Sequence, residues 1–212
     1  MKKWMRIFAV LCITASAFAV PDIEFSPGGT SPGGWAYDGA GTFSFTQQLS
    51  IDAVQGAATD TLFDQFVYLP TITLSSYTPS AWLGTGTGVV SGGGLVEIKD
   101  GLGNVLVSGN LVGGNYVAIF TTSVIYPEVA MDIVITQVNN TIGSAYLNTL
   151  SAGMFFDLNV SIQASSNFDT MIQNNQTGSN GFSGSLTSMI PEPATMVLLG
   201  FGVLGLLKKR NA

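Results

Sequence analysis

The chain has 212 residues, with seven basic and thirteen acidic side chains, no histidine and a single cysteine. The absence of histidine excludes the Ser-His-Asp triad and every metal site that is built on imidazole. A net charge of −6 at pH 7 excludes nucleic acid as a partner, because binding requires Lys and Arg to neutralise phosphates. We therefore expect a protein that is not an enzyme, with no catalytic residue and no metal ligand set.

Residues 1–19 predict a secretory signal peptide. Three basic residues within the first six precede an apolar run from Ile7 to Phe18. Ala17 and Ala19 then supply the small side chains that signal peptidase recognises, so cleavage is expected after Ala19. The only cysteine, Cys12, would be removed with this segment. The mature chain would then have no disulfide, no thiol nucleophile and no thiolate metal site.

The distribution of basic residues predicts the topology of export. Three of them lie in residues 1–6 and three in residues 208–210, and only Lys99 lies between these clusters. Positively charged flanks stay on the cytoplasmic side of a membrane. Both ends are therefore expected inside, and the acidic segment between residues 20 and 190 is expected to be translocated.

The middle of the chain predicts an extended N-terminal arm over residues 20–41 and an all-β domain over residues 42–163. β-branched, aromatic and other apolar residues recur there at a period of two. The clearest strand is 154–162, and the clearest hairpin is 95–108, with the loop Asp100 to Asn104 at its tip. Turn signals recur without helices between the strands, so we predict an antiparallel β-sandwich or jelly roll.

The C-terminal part predicts a flexible stalk, rich in Ser, Asn and Gly, over residues 164–189, followed by three ordered elements in residues 190–212. The uncharged run from Ala194 to Leu207 would form a single transmembrane helix of about 21 Å, shorter than the roughly 30 Å hydrocarbon core. It is preceded by a rigid Pro-Glu-Pro segment and followed by a basic tail that stops transfer. The motif is Pro191, Glu192 and Pro193, and the tail is Lys208, Lys209 and Arg210.

These three elements together resemble the PEP-CTERM sorting signal of Gram-negative bacteria, which is also catalogued as an ice-binding protein C-terminal domain. The resemblance implies that an exosortase-type enzyme recognises residues 191–193, removes the helix and passes the protein outward. It implies transient anchoring in the inner membrane, followed by release to the cell surface or the extracellular space. The second catalogue name implies nothing about ice.

The leading hypothesis for function is a structural or adhesive protein of the cell surface or of an extracellular exopolysaccharide matrix, as in a biofilm. One alternative is a calcium-assisted carbohydrate-binding module. Trp35 and Trp82 would then stack on sugars, and the loop from Asp100 to Asn104 would supply oxygen ligands to Ca²⁺. In a β-sandwich, however, a tryptophan is more often a core residue than a binding surface, and the loop is interpreted as a hairpin turn first and as a calcium loop second.

A second alternative is a glycosidase that depends on two carboxylates. Asp60 with Asp64, or Asp22 with Glu24, could supply such a pair, although any acidic β domain offers similar pairs on its turns and strand edges.

The triplet from Asn159 to Ser161 also fits a glycosylation acceptor.

Overall fold

The computed structural model describes residues 22–27, 34–45, 48–54, 59–79, 86–120, 125–162 and 168–188, all of which belong to the unit Pro21–Met189. These residues form thirteen strands, one short α-helix and a 3-10 helix at Leu147–Thr149, and all strand pairings are antiparallel. The elements in chain order are β1 Asp22–Pro27, β2 Trp35–Tyr37, β3 Thr42–Phe45, β4 Leu49–Val54, β5 Phe66–Tyr68, β6 Ile72–Pro79, β7 Gly86–Gly92, β8 Leu95–Lys99, β9 Val105–Phe120, β10 Ile125–Val138, β11 Phe155–Ile162, α1 Phe168–Gln173, β12 Gly178–Asn180 and β13 Phe182–Ser188.

Eight of these strands form a closed sheet, in the order β10, β11, β13, β1, β4, β5, β8, β9 and back to β10. The prediction of an all-β fold is therefore confirmed, but the prediction of a sandwich or jelly roll is wrong. A sandwich consists of two sheets whose edge strands are unpaired, whereas here the hydrogen-bonded pairing runs without a break around all eight strands. The difference arises from β1 and β13, which fill the space between β4 and β11.

Both of these strands come from segments that were predicted to lie outside the folded domain. The predicted arm, residues 20–41, contains β1, whose Ile23 and Phe25 are buried. The predicted flexible stalk, residues 164–189, contains α1, β12 and β13, and Phe182 and Leu186 of β13 are buried. Their apolar residues are few and are surrounded by Ser, Gly and Asn, so the local pattern indicates a loop although tertiary pairing makes a strand.

The remaining strands extend the closed sheet from one side of β9, in the order β7, β6, β3, β2 and β12. The first part of β9 pairs with β8, and residues 114–117 pair with β7 instead. Between these two parts, the register against β10 shifts by one residue between Met131 and Ile133. Such a bulge bends a strand and changes the side to which the following residues point, which lets β9 belong to both parts of the sheet.

The buried apolar side chains of the described residues form one continuous hydrophobic core. Phe45 of β3 packs against Phe182 of β13 with ring centroids 5.2 Å apart, so the extension and the closed sheet share this core. Burial of a large apolar side chain contributes about 1.5–3 kcal/mol. The largest fully buried side chains are Phe25, Phe43, Phe156, Ile23, Leu49, Ile51, Leu62, Ile72, Ile98, Leu106 and Ile135.

Two predicted elements are confirmed in detail. The hairpin is formed by β8 and β9, with Ile98 paired to Val107. β11 has the predicted alternation, because Phe156, Leu158 and Val160 are buried and the residues between them are not.

Candidate functional site

The best candidate for a binding site is a polar patch on the outer surface of the closed sheet. Each of the strands β11, β13, β1 and β4 directs its apolar residues into the core, and the alternate residues therefore point outward. Most of these outward residues are serine, asparagine or acidic, although Phe155 of β11 is also exposed. We call this patch the serine–acid face, and its members are Glu24, Ser26, Asp52, Asn159, Ser161, Ser183 and Ser185.

The strand register brings these residues together from distant parts of the sequence. Ser185 of β13 lies opposite Asn159 of β11 on one side and opposite Glu24 of β1 on the other. Ser161 lies opposite Ser183 in the neighbouring row. Side chains in such opposite positions have Cβ atoms about 4.5–5.5 Å apart. The seven residues, together with Phe25 and Gly184, line an open groove of about 390 Å³.

The face is rich in hydrogen-bonding groups and carries negative charge. The Ser26 hydroxyl donates a hydrogen bond to the Asp52 carboxylate, which fixes these two side chains relative to each other. Lys99 is the only basic residue in the described part of the chain, and its ammonium group binds Glu97 at 2.8 Å on β8. No cation of the described residues therefore neutralises Glu24 or Asp52. The face can bind hydroxyl or amine groups, and it repels anions.

A pair of carboxyl groups lies next to this face. Asp157 precedes Asn159 by two residues on β11 and lies directly opposite Asp132 on β10. Burial raises the pKa of Asp157, and the hydrogen bond with Asp132 and the negative charge of Asp132 raise it further. Two carboxylates at adjacent positions repel each other, so Asp157 retains its proton more readily than an isolated aspartate. Sequence reasoning did not single out this pair, because its members are far apart in the chain and meet only through the register.

Asp60, which sequence reasoning nominated together with Asp64, has a structural role. Its carboxylate is 7% exposed and accepts hydrogen bonds from the backbone amides of Leu62 at 2.8 Å and Tyr146 at 2.9 Å. Burial raises its pKa, but hydrogen bonds from Ser144 and from backbone amides lower it more, and the resulting pKa lies below the ordinary value. Asp64 is exposed. Asp60 therefore joins the turn after β4 to the loop after β10.

The second nominated pair is only partly described. Glu24 belongs to the serine–acid face, and Asp22 is placed by the backbone register opposite Thr187, with no description of its side chain.

The loop from Asp100 to Asn104 forms a hairpin turn in which the carboxylate oxygens of Asp100 accept hydrogen bonds from within the loop. Asp100 Oδ1 accepts hydrogen bonds from the amides of Leu102 at 2.9 Å and Asn104 at 2.8 Å, and Oδ2 accepts one from the Asn104 side chain at 2.8 Å. These bonds, led by the one from the Asn104 side chain, lower the pKa of Asp100. Within the described ranges, no group of three or more His, Cys, Asp or Glu could hold a metal ion.

Trp35 lies in the core rather than on the surface. Its side chain is 3% exposed, and its ring lies 6.1 Å from that of Phe43, measured between centroids. A buried ring cannot offer a flat face to a sugar, so the stacking role predicted for Trp35 is wrong. Trp82, the other predicted stacking residue, lies outside the described residues.

The predicted processing sites also lie outside the described residues. They are Ala17 and Ala19 near the N-terminus, the motif Pro191, Glu192 and Pro193, and the basic tail Lys208, Lys209 and Arg210. In the part of the chain that the structure does describe, no helix has the length and apolar character needed to cross a membrane.

Comparison with known proteins identifies the C-terminal segment. Residues 190–210 match the family model of the PEP-CTERM protein-sorting motif. No curated protein and no solved structure matches the chain. The motif implies export, sorting to the cell surface and processing by an exosortase-type enzyme. The chain therefore carries a PEP-CTERM sorting motif, which is typical of exported, exosortase-sorted proteins, and its described domain is a closed antiparallel sheet with an extension.

Proposed function

We propose that this protein is a non-enzymatic structural or adhesive component of the cell surface or the extracellular matrix, and that its serine–acid face binds exopolysaccharide. The observation that carries the proposal is the clustering of hydroxyl, amide and carboxylate groups around one open groove on a sorted, exported domain.

The chemistry of the face suits a polymer of neutral or amine-bearing sugars. Ser183, Ser185 and Asn159 can both donate and accept hydrogen bonds, as sugar hydroxyls do, and Glu24 and Asp52 accept them. An acidic polymer would be repelled by the uncompensated carboxylates. Phe25, the aromatic residue among those lining this groove, is 1% exposed and offers no stacking surface. Each contact is therefore expected to be weak, and repeated contacts along a polymer would supply the affinity.

The positions of the carboxylates favour a structural role over catalysis. Asp60 is buried and bonded to backbone amides, and Asp100 is bonded to its own turn. Asp157 and Asp132 lie on the outer surface of a sheet. A glycosidase also requires two carboxylates on opposite sides of an enclosed glycosidic bond, and the groove beside Asp157 is open.

Sorting and processing are tested by fractionation and mass spectrometry of the C-terminus. We expect the exported pool to have lost residues 194–212 and to be found at the cell surface or in the medium. An exported pool that still ends at Ala212 would show a plain membrane anchor instead of a processed sorting signal.

Polysaccharide binding is tested by retention of the exported protein on the host's own exopolymer. Because one net hydrogen bond contributes about 1 kcal/mol, Asn159→Ala should weaken binding about fivefold. Asn110→Ala, at an exposed outward position on β9, is the matched control and should bind normally. Equal binding by both variants would show that the face is not the binding site. Turnover of the polymer that disappears in Asp157→Asn would favour the glycosidase instead.

A further inference from the structure

The strand that precedes the sorting motif is paired along both of its edges in the closed sheet. β13 has neighbours on both sides, β11 and β1, and its final residue is Ser188. Phe182, Leu186 and Ser188 are 3%, 2% and 1% exposed. The matched sorting motif begins at residue 190, so a single residue separates a buried, paired strand from the processing signal.

The pairing continues to the end of β13. Ser188 lies opposite Phe156, and Thr187 lies opposite Asp157 on one side and Asp22 on the other. A processing enzyme binds the chain on both sides of the bond that it cuts, and it needs that chain free of other backbone partners. The last residues of β13 cannot pair with β1 and β11 and also enter an enzyme's binding cleft.

We propose that processing at the sorting motif requires the C-terminal end of β13, residues 186–188, to separate from β1 and β11. Processing is then fast on chains whose sheet has not yet closed, and on the folded domain it follows local opening of this strand. When opening and reclosing are fast compared with cutting, the cutting rate follows the population of the open form. This inference rests on the proposed sorting by an exosortase-type enzyme.

The test is a reversible crosslink across the end of β13 in the full-length precursor. Asp157→Cys with Thr187→Cys joins β11 to β13, and Cys12→Ser removes the only other thiol. The precursor, in membranes that contain the processing enzyme, is followed by its loss of mass with and without reductant. We expect oxidation to slow processing about tenfold or more, and reductant to restore the rate.

Two further variants decide the outcome. Thr73→Cys with Ser91→Cys joins β6 to β7 away from β13 and should leave the rate unchanged on oxidation. In the second variant, a flexible segment of Gly and Ser residues is inserted between Met189 and Ile190 of the precursor that carries the β11–β13 crosslink. This precursor should be processed at least as fast as the chain without a crosslink.

Normal processing of the oxidised precursor that carries the β11–β13 crosslink would overturn the requirement for strand opening while leaving the sorting proposal intact. If the precursor with the inserted residues is not processed in any condition, the sorting proposal fails as well, and the inference fails with it.

Discussion

Asp60 is the one charged residue among the buried residues that the structure describes, and replacing it by alanine should strongly destabilise the domain. The Asp60 carboxylate is buried and accepts backbone hydrogen bonds at 2.8 and 2.9 Å from two separate loops. Hydrogen bonds to a charged group contribute about 1.5–3 kcal/mol each, so losing two should lower the free energy of unfolding by about 3–6 kcal/mol. That is a large part of the roughly 5–15 kcal/mol that stabilises a typical domain.

The change is measured by equilibrium unfolding of the exported protein in urea, with the fluorescence of buried Trp35 as the signal. With a slope of about 2 kcal/mol per M, the midpoint should fall by about 1.5–3 M. The control is Asp64→Asn in the same turn, at an exposed position with φ of 63° that asparagine also tolerates. It should change the free energy by less than about 0.5 kcal/mol.

The pH dependence provides a second check on Asp60. Its pKa is lowered in the folded state, so its contribution to stability is complete above the unfolded pKa of about 3.9 and is lost as the pH falls through the folded pKa. The difference in stability between the wild type and Asp60→Ala should therefore shrink in acid. A difference that is small at pH 7, or that does not change in acid, would refute the role assigned to this carboxylate.

Two other changes follow from the packing and the charges. Gly114→Ala should lower the free energy of unfolding, measured in urea, by about 3 kcal/mol or more, because the added Cβ would meet the carbonyl oxygen of Ala130. Gly101→Ala should be nearly neutral, because a Cβ at that position meets nothing within 4 Å. Asp157→Asn should raise the melting temperature at pH 7 but not near pH 4. The raised pKa of Asp157 means that its protonated form favours folding below the unfolded pKa of about 3.9, and this advantage is lost as the pH rises through the folded pKa. A melting temperature that is equally changed at both pH values would contradict repulsion from Asp132.

The strands that could be predicted from the sequence are those whose side chains alternate strongly. β11 buries Phe156, Leu158 and Val160, and the β8–β9 hairpin has a turn residue, Asp100, whose oxygens accept hydrogen bonds from the loop amides. Both signals are local. They can be recognised in the sequence because neighbouring residues alone determine them.

The closure of the sheet could not be predicted in the same way. β1 has only Ile23 and Phe25 facing the core, and β13 contributes mainly Phe182 and Leu186 among serines and glycines. Their pairing depends on each other and on strands far away in the sequence, such as the pairing of Glu24 with Ser185. Strand propensity and hydrophobic periodicity are properties of the local sequence, so they give no information on such long-range contacts.

The candidate binding site could not be predicted for the same reason. In the sequence, Asn159 and Ser161 stand out only as a glycosylation triplet, and Glu24 only as part of a carboxylate pair. The register of four strands is needed to place them around one groove. The one available signal is the hydroxyl side chain at alternate positions, in Ser183, Ser185 and Thr187. This alternation indicates a strand with one polar face, but the segment has the composition of a stalk.

The order of strands in the closed sheet connects folding with export. β1 is the first described strand to leave the membrane when the N-terminus is exported first, and β13 is the last, yet the two are direct neighbours. The sheet therefore cannot close until residues 182–188 have been translocated, and the sorting motif at residues 190–210 follows directly behind them. Pairing between strands so distant in sequence forms slowly, because a long loop must be closed first. We therefore expect the proposed processing enzyme to meet the chain during the interval in which the end of β13 is still unpaired.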